Sequence, residues 1–266
     1  WYFEQAMYPE VFKDERWLVK DVAERMQEFI EDSSKHFLVI SLPPAHYKSF
    51  QARNLILWLL GRDYRTRIIS ASNAHDLAET FSSQIRDTIL GVAVGKNGIP
   101  YPEIFPDTQV KQGYATKAKW QLAGVSQPTY LATSPTSTLT GNRGDVFVLD
   151  DVVRNALDAM NESNLEAYWT WFRDTLFTRT DGDNYKFISV MQRWAKRDLS
   201  GHIIEFFGDD VEVIDYKIET DGKILDETIV SREKLNTIKK TLSPEIYSAN
   251  YMQEPIDIKG RLFDDL

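Results

Sequence analysis

The chain of 266 residues contains no cysteine and only four histidines. Without cysteine it has neither a disulfide framework nor a thiolate metal site, which is typical of proteins of the reducing cytosol. The histidines are scattered and never form the H-x-x-x-H pair of a helical zinc site, so the sequence predicts no zinc centre.

Long apolar runs and an excess of positive charge are also lacking. No stretch approaches the roughly 20 apolar residues of a membrane-spanning helix, and no signal-peptide pattern opens the chain. The 31 Lys and Arg residues are outnumbered by 40 Asp and Glu residues, which gives a net charge of −9. Because proteins that coat DNA are usually basic, we expect any contact with nucleic acid to use a local patch or a ring of subunits.

The stretch from His36 to Arg53 carries the first functional signal. It begins with an apolar run, Phe37 to Ile40, that predicts a short buried strand, and it ends in a segment with helical spacing of apolar residues. A strand, a tight loop, Lys-Ser and a helix together predict a phosphate-binding loop, in which backbone N–H groups and a helix N-terminus face a polyphosphate. The residues expected to surround the phosphates are Pro44, Ala45, His46, Tyr47, Lys48 and Ser49.

This loop departs from the standard pattern G-x-x-x-x-G-K-[ST], because Leu42 and Tyr47 occupy the two glycine positions. In such loops the lysine adds a point charge for the phosphates, and the serine hydroxyl is a magnesium ligand. Taken alone, the same residues are equally compatible with a surface turn that precedes a helix and leaves Lys48 solvated.

A second signal is the sequence VFVLDD at residues 146–151. Four apolar residues followed by paired acids predict a buried strand that delivers Asp150 and Asp151 to the carboxyl edge of a sheet, where ligands bind in open α/β folds. In a phosphate-loop enzyme the first acid holds the magnesium shell, and the second orients the attacking water.

The order of the predicted elements gives the fold class. Further buried strands are predicted at 67–72 and 186–191, and a helix at 74–90 follows the first of them. Strands that alternate with helices indicate an α/β protein with a mainly parallel sheet. Gln192 and Arg193 directly follow the strand at 186–191, where a sensor of the γ-phosphate would lie.

Taken together, these segments resemble the ATPase part of the large terminase subunit of tailed bacteriophages, which packages DNA. The family's phosphate loop commonly reads Pro-Pro-Arg-His-Gly-Lys-Ser, against PPAHYKS here. Its acid strand is often preceded by Leu-Thr-Gly-Arg and followed by Asp-Asp-Pro-Val-Lys-Asn, against LTGNR and FVLDDVVRN here. The later Thr-Arg-Trp-His-x-x-Asp-Leu-x-Gly corresponds to QRWAKRDLSG, and Tyr-x-Gln-x-Pro before Gly-x-x-Phe corresponds to YMQEP before GRLF. The four segments occur in the family's order and span nearly the whole chain.

Two positions in the phosphate loop depart from the family's pattern, and a third position, among the paired acids, differs from many other ATPases. Tyr47 replaces the glycine before the lysine, and its side chain would either crowd the phosphates or constrain the loop. Ala45 replaces an arginine. Asp151 stands where many ATPases use glutamate, so its reach to a water molecule is one methylene shorter.

The resemblance implies a RecA-like fold of the ASCE class of P-loop NTPases, with the ATPase core at residues 1–205. A smaller lid or linker subdomain would follow at 206–258, and a turn at 220–223 predicts a hairpin within it. Residues 259–266 would begin the linker to a nuclease domain. Because that domain follows the Gly-x-x-Phe segment in the family and lies outside this sequence, no nuclease activity is expected here.

The implied function is ATP hydrolysis, with ATP and Mg²⁺ as cofactors, that drives double-stranded DNA into a viral procapsid. The implied partners are the DNA, the portal protein of the procapsid, the small terminase subunit and further copies of the chain in a ring, whereas an isolated subunit would be a monomer. The motor would work in the host cytoplasm, docked on the procapsid, without any membrane.

The resemblance also implies roles for individual residues. Lys48 would steady the β- and γ-phosphates, and Ser49 and Asp150 would hold magnesium. Asp151 would polarise the attacking water. A separate pair, Gln192 and Arg193, would couple loss of the γ-phosphate to movement of the lid.

An arginine finger, acting on the ATP of a neighbouring subunit, is expected at Arg143. This residue lies in the glycine-rich loop Gly141–Gly144, just before the acid strand. The second choice for this role is Arg179. A structural alternative is that Arg143 pairs with Asp145 or another nearby carboxylate.

Three other functions are compatible with the same core. A helicase or other nucleic-acid-dependent ATPase would need a second RecA-like domain, and no second phosphate loop appears in the sequence. A small-molecule kinase usually has an arginine cluster in its lid, which is not evident here. A degenerate NTPase fold that acts only as a scaffold is the non-enzymatic alternative, suggested by Tyr47.

Overall fold

The computed structural model describes residues 1–113, 115–137, 139 and 141–256. None of the helices in this part of the chain has the length and apolar character needed to cross a membrane. The GRLF segment, residues 260–263, lies outside the described residues, as does the predicted start of the linker at 259–266.

Strands and helices alternate along most of the chain. The strands are β1 (Phe37–Ser41), β2 (Ile68–Ala71), β3 (Lys119–Trp120), β4 (Tyr130–Thr133), β5 (Val146–Asp150), β6 (Lys186–Met191), β7 (Val211–Asp215), β8 (Glu219–Thr220) and β9 (Lys223–Ile224). The α-helices are α1 (Tyr2–Met7), α2 (Trp17–Glu31), α3 (Lys48–Arg62), α4 (His75–Ile89), α5 (Tyr101–Ile104), α6 (Ala156–Ala159), α7 (Glu162–Trp171), α8 (Leu199–Phe207), α9 (Arg232–Thr241) and α10 (Pro244–Asn250). A π-helical turn at Phe172–Leu176 extends α7.

The large sheet has seven strands in the order β3-β4-β2-β5-β6-β1-β7. All neighbours pair in parallel except β3, which runs antiparallel to β4 at one edge. Parallel neighbours need crossover connections, which the helices supply. The predicted mainly parallel sheet flanked by helices is therefore confirmed, and β6 lies between the strand that precedes the phosphate loop and the acid strand.

Both faces of the sheet are covered, which explains why the central strands β1, β2, β5 and β6 are buried at every position and mostly apolar. Side chains alternate between the two faces of a strand. On β1, Leu38 and Ile40 pack into one core with α2, α3 and α4. On the opposite face, Phe37 and Val39 pack with α7, the π-helical turn and α8.

The sheet extends beyond residue 205, where the sequence placed the end of the ATPase core. The strand β7 pairs in parallel with β1, with Val211 opposite Phe37. A buried, apolar β1 would be a poor edge strand, and β7 covers it. The sequence analysis placed β7 in one subdomain with the following hairpin. In the structure β7 pairs with β1, and the hairpin is present as the antiparallel pair β8–β9.

The region after β7 has a small core of its own. Its buried apolar side chains are Ile218, Ile224, Val230 and Leu235, contributed by the hairpin, the following loop and α9. The region returns to the sheet through α10 and the turn after it, which contact the end of β6.

Candidate active site at the carboxyl edge of the sheet

The loop at residues 42–47 connects β1 to α3, so the predicted strand, loop and helix are all present. Two of its residues have left-handed backbone conformations, Ala45 with φ of 68° and Tyr47 with φ of 62°. Glycine adopts this conformation without steric cost, whereas other residues pay roughly 1–2 kcal/mol. This conformation gives a physical reason for the glycine that the standard pattern has at the position of Tyr47.

His46 stabilises the loop from inside. It is 2% exposed, and its Nδ1 lies 2.8 Å from the carbonyl oxygen of Pro44. Burial lowers the pKa of His46, which favours the neutral ring. The exposed residues of the loop and of the start of α3, Ala45 and Ser49, face the open side of the site.

The side chain of Lys48, the first residue of α3, folds back over the loop. Its Nζ donates to Oε1 of Gln192 at 2.6 Å and to the carbonyl oxygens of Leu42 and Pro43 at 3.4 Å each. Burial lowers the pKa of Lys48, while the nearby carboxylates of Asp151 and Asp150 oppose this shift. The predicted lysine and the predicted γ-phosphate sensor are thus in direct contact.

The paired acids lie at the same edge, at the end of β5. The Ser49 hydroxyl donates to Oδ1 of Asp150 at 2.9 Å. Burial and repulsion by Asp151 raise the pKa of Asp150 to about 7, against the effects of Ser49 and Lys48. Burial also raises the pKa of Asp151. Two buried acids held side by side are typical of a site that binds a cation.

These residues fit a magnesium ion. Magnesium prefers oxygen ligands and is commonly held by one or two carboxylates together with the phosphates of a substrate. Asp150 and Ser49 supply such oxygens, and Oδ1 of Asp151 is buried without a hydrogen-bond partner among the described residues. Within the same part of the chain, no group of three or more His, Asp or Glu side chains forms a complete metal cage.

Asn73 belongs to the site, although the sequence analysis did not identify it. Its Nδ2 donates to the carbonyl oxygen of Asp151 at 2.9 Å, and Asp151 itself has a left-handed φ of 45°. Asn73 therefore fixes the turn that follows β5. It could have been found from its position, because it follows β2 and so lies at the carboxyl edge with the acids.

Arg193 is near the site, but its side chain does not face it. Its Nε donates to both carboxylate oxygens of Asp198, at 3.2 and 3.1 Å, and Asp198 is fully buried. The Arg193 guanidinium is thus paired with Asp198, and the main chain of Arg193 makes separate contacts.

That main chain is bound by the region after β7. The N–H of Arg193 donates to Oε1 of Gln253 at 3.0 Å, and its carbonyl oxygen accepts from Nδ2 of Asn250 at 2.7 Å. Gln253 is the glutamine of the Tyr-x-Gln-x-Pro segment, for which the sequence suggested no role. The end of β6 thus connects Lys48, through Gln192, to the end of α10.

Arg143 and Arg179 are not part of this site. Arg143 precedes β5 and Asp150 ends it, so the two lie at opposite edges of the sheet, roughly 20 Å apart along an extended strand. Nη1 of Arg143 donates to the carbonyl oxygens of Thr178 and Thr180, at 3.4 and 2.8 Å. Arg179 lies at the same amino edge, since its carbonyl oxygen accepts from the N–H of Gly144.

The alternative pairing of Arg143 with Asp145 is not observed. Asp145 instead accepts from Arg67, through the main-chain N–H at 2.8 Å and through Nε at 3.0 Å. Arg143 and Arg179 thus both lie at the edge of the sheet opposite the paired acids of the same chain.

The fold is similar to solved structures of large terminases. The large terminase ATPase domain of Thermus phage P74-26 is 14% identical in sequence, with a TM-score of 0.53 over 87% of this chain and 93% of that chain. The large terminase of a thermophilic bacteriophage, solved in complex with ATP-gamma-S, is 9% identical, with a TM-score of 0.54 over 88% of this chain and 51% of that chain. No family model and no curated protein sequence matches the chain. The chain thus has the RecA-like fold of large terminase ATPase domains, and at these identities the likeness concerns the fold alone.

Proposed function

We propose that the protein hydrolyses ATP to drive double-stranded DNA into a viral procapsid. The observation that carries this proposal is the meeting of Lys48, Ser49, Asp150 and Gln192 at the carboxyl edge of the sheet, through contacts of 2.6 and 2.9 Å. These residues come from three different strand ends in a fold shared with large terminase ATPase domains.

In the proposed reaction, a water molecule attacks the γ-phosphorus of ATP, and the bond to the β–γ bridging oxygen breaks to give ADP and phosphate. Lys48 neutralises charge on the β- and γ-phosphates once they replace Gln192 as its partner. Asp151 polarises the attacking water. Catalysis of this kind rests on positioning and charge stabilisation, which a preorganised edge of a sheet provides.

Ser49 and Asp150 would hold the magnesium ion that accompanies ATP. Magnesium bound there supplies positive charge to the β- and γ-phosphate oxygens. For Asp150 to act as a ligand it must be ionised, so its raised pKa of about 7 makes magnesium compete with a proton for this carboxylate.

Loss of the γ-phosphate would be transmitted through β6. When the phosphate departs, Gln192 regains its hydrogen bond from Lys48. The adjoining main chain of Arg193 is hydrogen-bonded to Gln253 and Asn250. A shift of Gln192 would therefore move the region after β7, which we propose to be the lid of the motor. Force would thus pass from the nucleotide to the lid.

The proposed working form is a ring of subunits docked on the portal of a procapsid in the host cytoplasm, with the small terminase subunit as a further partner. The position of Arg143 supports this form, because a finger at the amino edge needs a neighbouring subunit. A ring also allows an acidic chain, of net charge −9, to contact DNA through a limited surface.

The test is a comparison of two activities of the purified chain. Phosphate release from magnesium-ATP is measured with and without double-stranded DNA, and DNA packaging is measured as nuclease-protected DNA in the presence of portal-bearing procapsids. We expect magnesium-dependent hydrolysis that increases on assembly. Absence of ATP binding and hydrolysis in the folded chain would contradict the enzymatic proposal, whereas hydrolysis without packaging would favour another nucleic-acid-dependent ATPase.

A further inference from the structure

The tyrosine that replaces glycine in the phosphate loop has a specific partner outside the loop. The guanidinium carbon of Arg16 lies over the ring of Tyr47, 4.7 Å from its centroid. The Tyr47 ring also lies near Phe50 of α3, with 6.3 Å between the two ring centroids. The Tyr47 ring thus packs against the core that the sheet forms with α2, α3 and α4.

Arg16 also binds an acid from the region after β7. Its Nη2 lies 3.1 Å from Oδ2 of Asp226, and both side chains are mostly buried, with 14% and 10% of their surfaces exposed. Arg16 also makes a hydrogen bond from Nη1 to the carbonyl oxygen of Val11, at 3.3 Å, which helps to fix the guanidinium. One planar cation thus contacts the phosphate loop through its face and the lid through its edge.

Asp226 is firmly attached to the lid core. Its carbonyl oxygen accepts from the N–H groups of Ile229 and Val230, at 3.1 Å each, and Val230 is one of the buried residues of that core. Burial alone would raise the pKa of Asp226, but hydrogen bonds from Thr228 and Arg16 hold it below its ordinary value. The carboxylate is therefore ionised at neutral pH, as an ion pair with Arg16 requires.

We propose that Arg16 is a positioning residue that couples the lid to the phosphate loop, with Tyr47 as its contact on the loop and Asp226 as its contact on the lid. This inference rests on the proposed function, because it assumes that the loop binds ATP. Tyr47 holds a left-handed conformation that glycine adopts more easily, and the stacking of Arg16 offsets that cost. Movement of the lid that separates Asp226 from Arg16 weakens this support and lowers the affinity of the loop for ATP.

Coupling between two sites is reciprocal, so ATP bound at the loop must also stabilise the lid contact. This distinguishes the contact from ordinary packing, which would affect folding and leave nucleotide affinity unchanged. Lysine cannot replace Arg16, because it keeps the charge but lacks a planar guanidinium. Only the planar group can stack on the Tyr47 ring and bind the Asp226 carboxylate at the same time.

The experiment measures the dissociation constant for ATP by calorimetry in the full chain and in Asp226→Asn, Arg16→Lys and Arg16→Gln. We expect each variant to bind ATP about 5- to 10-fold more weakly, at the lower end of typical couplings between sites. The matched control is Arg65→Gln, which removes an exposed ion pair with Asp63 and should leave the constant unchanged. Equal constants in the wild type and in all three variants would overturn the coupling.

A double-mutant cycle tests the route of the coupling. In a Tyr47→Gly background, the loop no longer depends on the stacking of Arg16 on Tyr47. Adding Asp226→Asn to this background should therefore leave the dissociation constant for ATP unchanged. With Tyr47 present, the same Asp226→Asn change should weaken binding. An equal effect of Asp226→Asn in both backgrounds would show that the lid acts by another route and would overturn the role of Tyr47 and Arg16.

A measurement without nucleotide separates this inference from the proposed function. Hydrogen exchange of the amides at residues 46–49 is followed in the wild type, in Asp226→Asn and in Arg65→Gln. We expect about 5- to 10-fold faster exchange in Asp226→Asn only, and unchanged exchange there would contradict the coupling. If the wild type binds no ATP while this exchange still responds to Asp226→Asn, the proposed function fails and the mechanical coupling stands.

Discussion

Lys48 and Gln192 lie 144 positions apart in the sequence, yet Nζ of Lys48 is 2.6 Å from Oε1 of Gln192. A buried ammonium group needs partners, and Gln192 supplies one that a phosphate oxygen can replace. The contact joins the proposed γ-phosphate sensor to the lysine of the loop. The strand order permits this contact, because β6 pairs with β1 and Gln192 directly follows β6.

The first prediction concerns Lys48→Ala. We expect ATP hydrolysis to fall by about 10²–10³-fold or more, because the variant lacks the charge that stabilises the phosphates in the transition state. Unfolding by denaturant should show a folded protein, since the half-exposed Gln192 side chain can turn to water. The control is Lys223→Ala in the exposed hairpin. Near wild-type hydrolysis by folded Lys48→Ala would contradict the assignment of the loop.

The paired acids should separate by role. Asp150→Asn is expected to lose magnesium-dependent nucleotide binding, because Asp150 and Ser49 are the proposed ligands. Asp151→Asn should keep binding and lose turnover, because only the transition state needs the polarised water. Nucleotide affinity with and without magnesium, together with single-turnover rates, tests this separation, and equal loss of binding in both variants would contradict it.

The isolated chain should hydrolyse ATP slowly. An arginine finger supplied by a neighbour accelerates hydrolysis by ~10³–10⁵-fold in phosphate-loop enzymes, and Arg143 is too far from the site of its own subunit. We therefore expect turnover to rise with protein concentration or on assembly with procapsid and DNA.

Mixing two inactive variants tests whether Arg143 acts on a neighbour. Arg143→Ala subunits, which have an intact phosphate loop, are combined with Lys48→Ala subunits, which have an intact finger. Mixed interfaces should recover activity that neither variant has alone. If assembly is verified and no activity returns, the finger is not Arg143, and Arg179 becomes the residue to test.

Stability should decrease with pH because of Glu4. Burial raises the pKa of Glu4 from about 4.5 to about 8, against a hydrogen bond from Asn54. Between these values the folded state binds more protons than the unfolded state, so the free energy of unfolding falls as pH rises from about 4.5 to 8. Glu4→Gln should lose this dependence, an effect on the order of a few kcal/mol across the window.

The measurement is urea unfolding at several pH values between 4.5 and 9. The exposed Glu15→Gln is the control and should follow the wild type. A Glu4→Gln variant whose stability falls with pH as steeply as that of the wild type would show that another group is responsible.

Local patterns were enough to predict the elements that form the candidate site. The apolar run of β1, the Lys-Ser pair and the acids after β5 are each encoded within a few neighbouring residues, so the sequence alone predicted the strand, the loop and the carboxyl edge. The direction of a parallel strand also places Arg143 at the amino edge, because it precedes β5. That signal was present in the sequence but was not used to separate Arg143 from the site.

Only the tertiary structure decided which distant segments meet. The pairing of β7 with β1, the bond of Gln253 to the main chain of Arg193 and the position of Arg16 between Tyr47 and Asp226 all join residues that no short-range pattern connects. Such contacts are selected by the burial of two sheet faces and by the need of buried charges for partners, which depend on the whole chain at once. The sequence by itself thus determined which residues lie at the carboxyl edge of the sheet, while packing over the whole chain decided which of them touch and which segments support them.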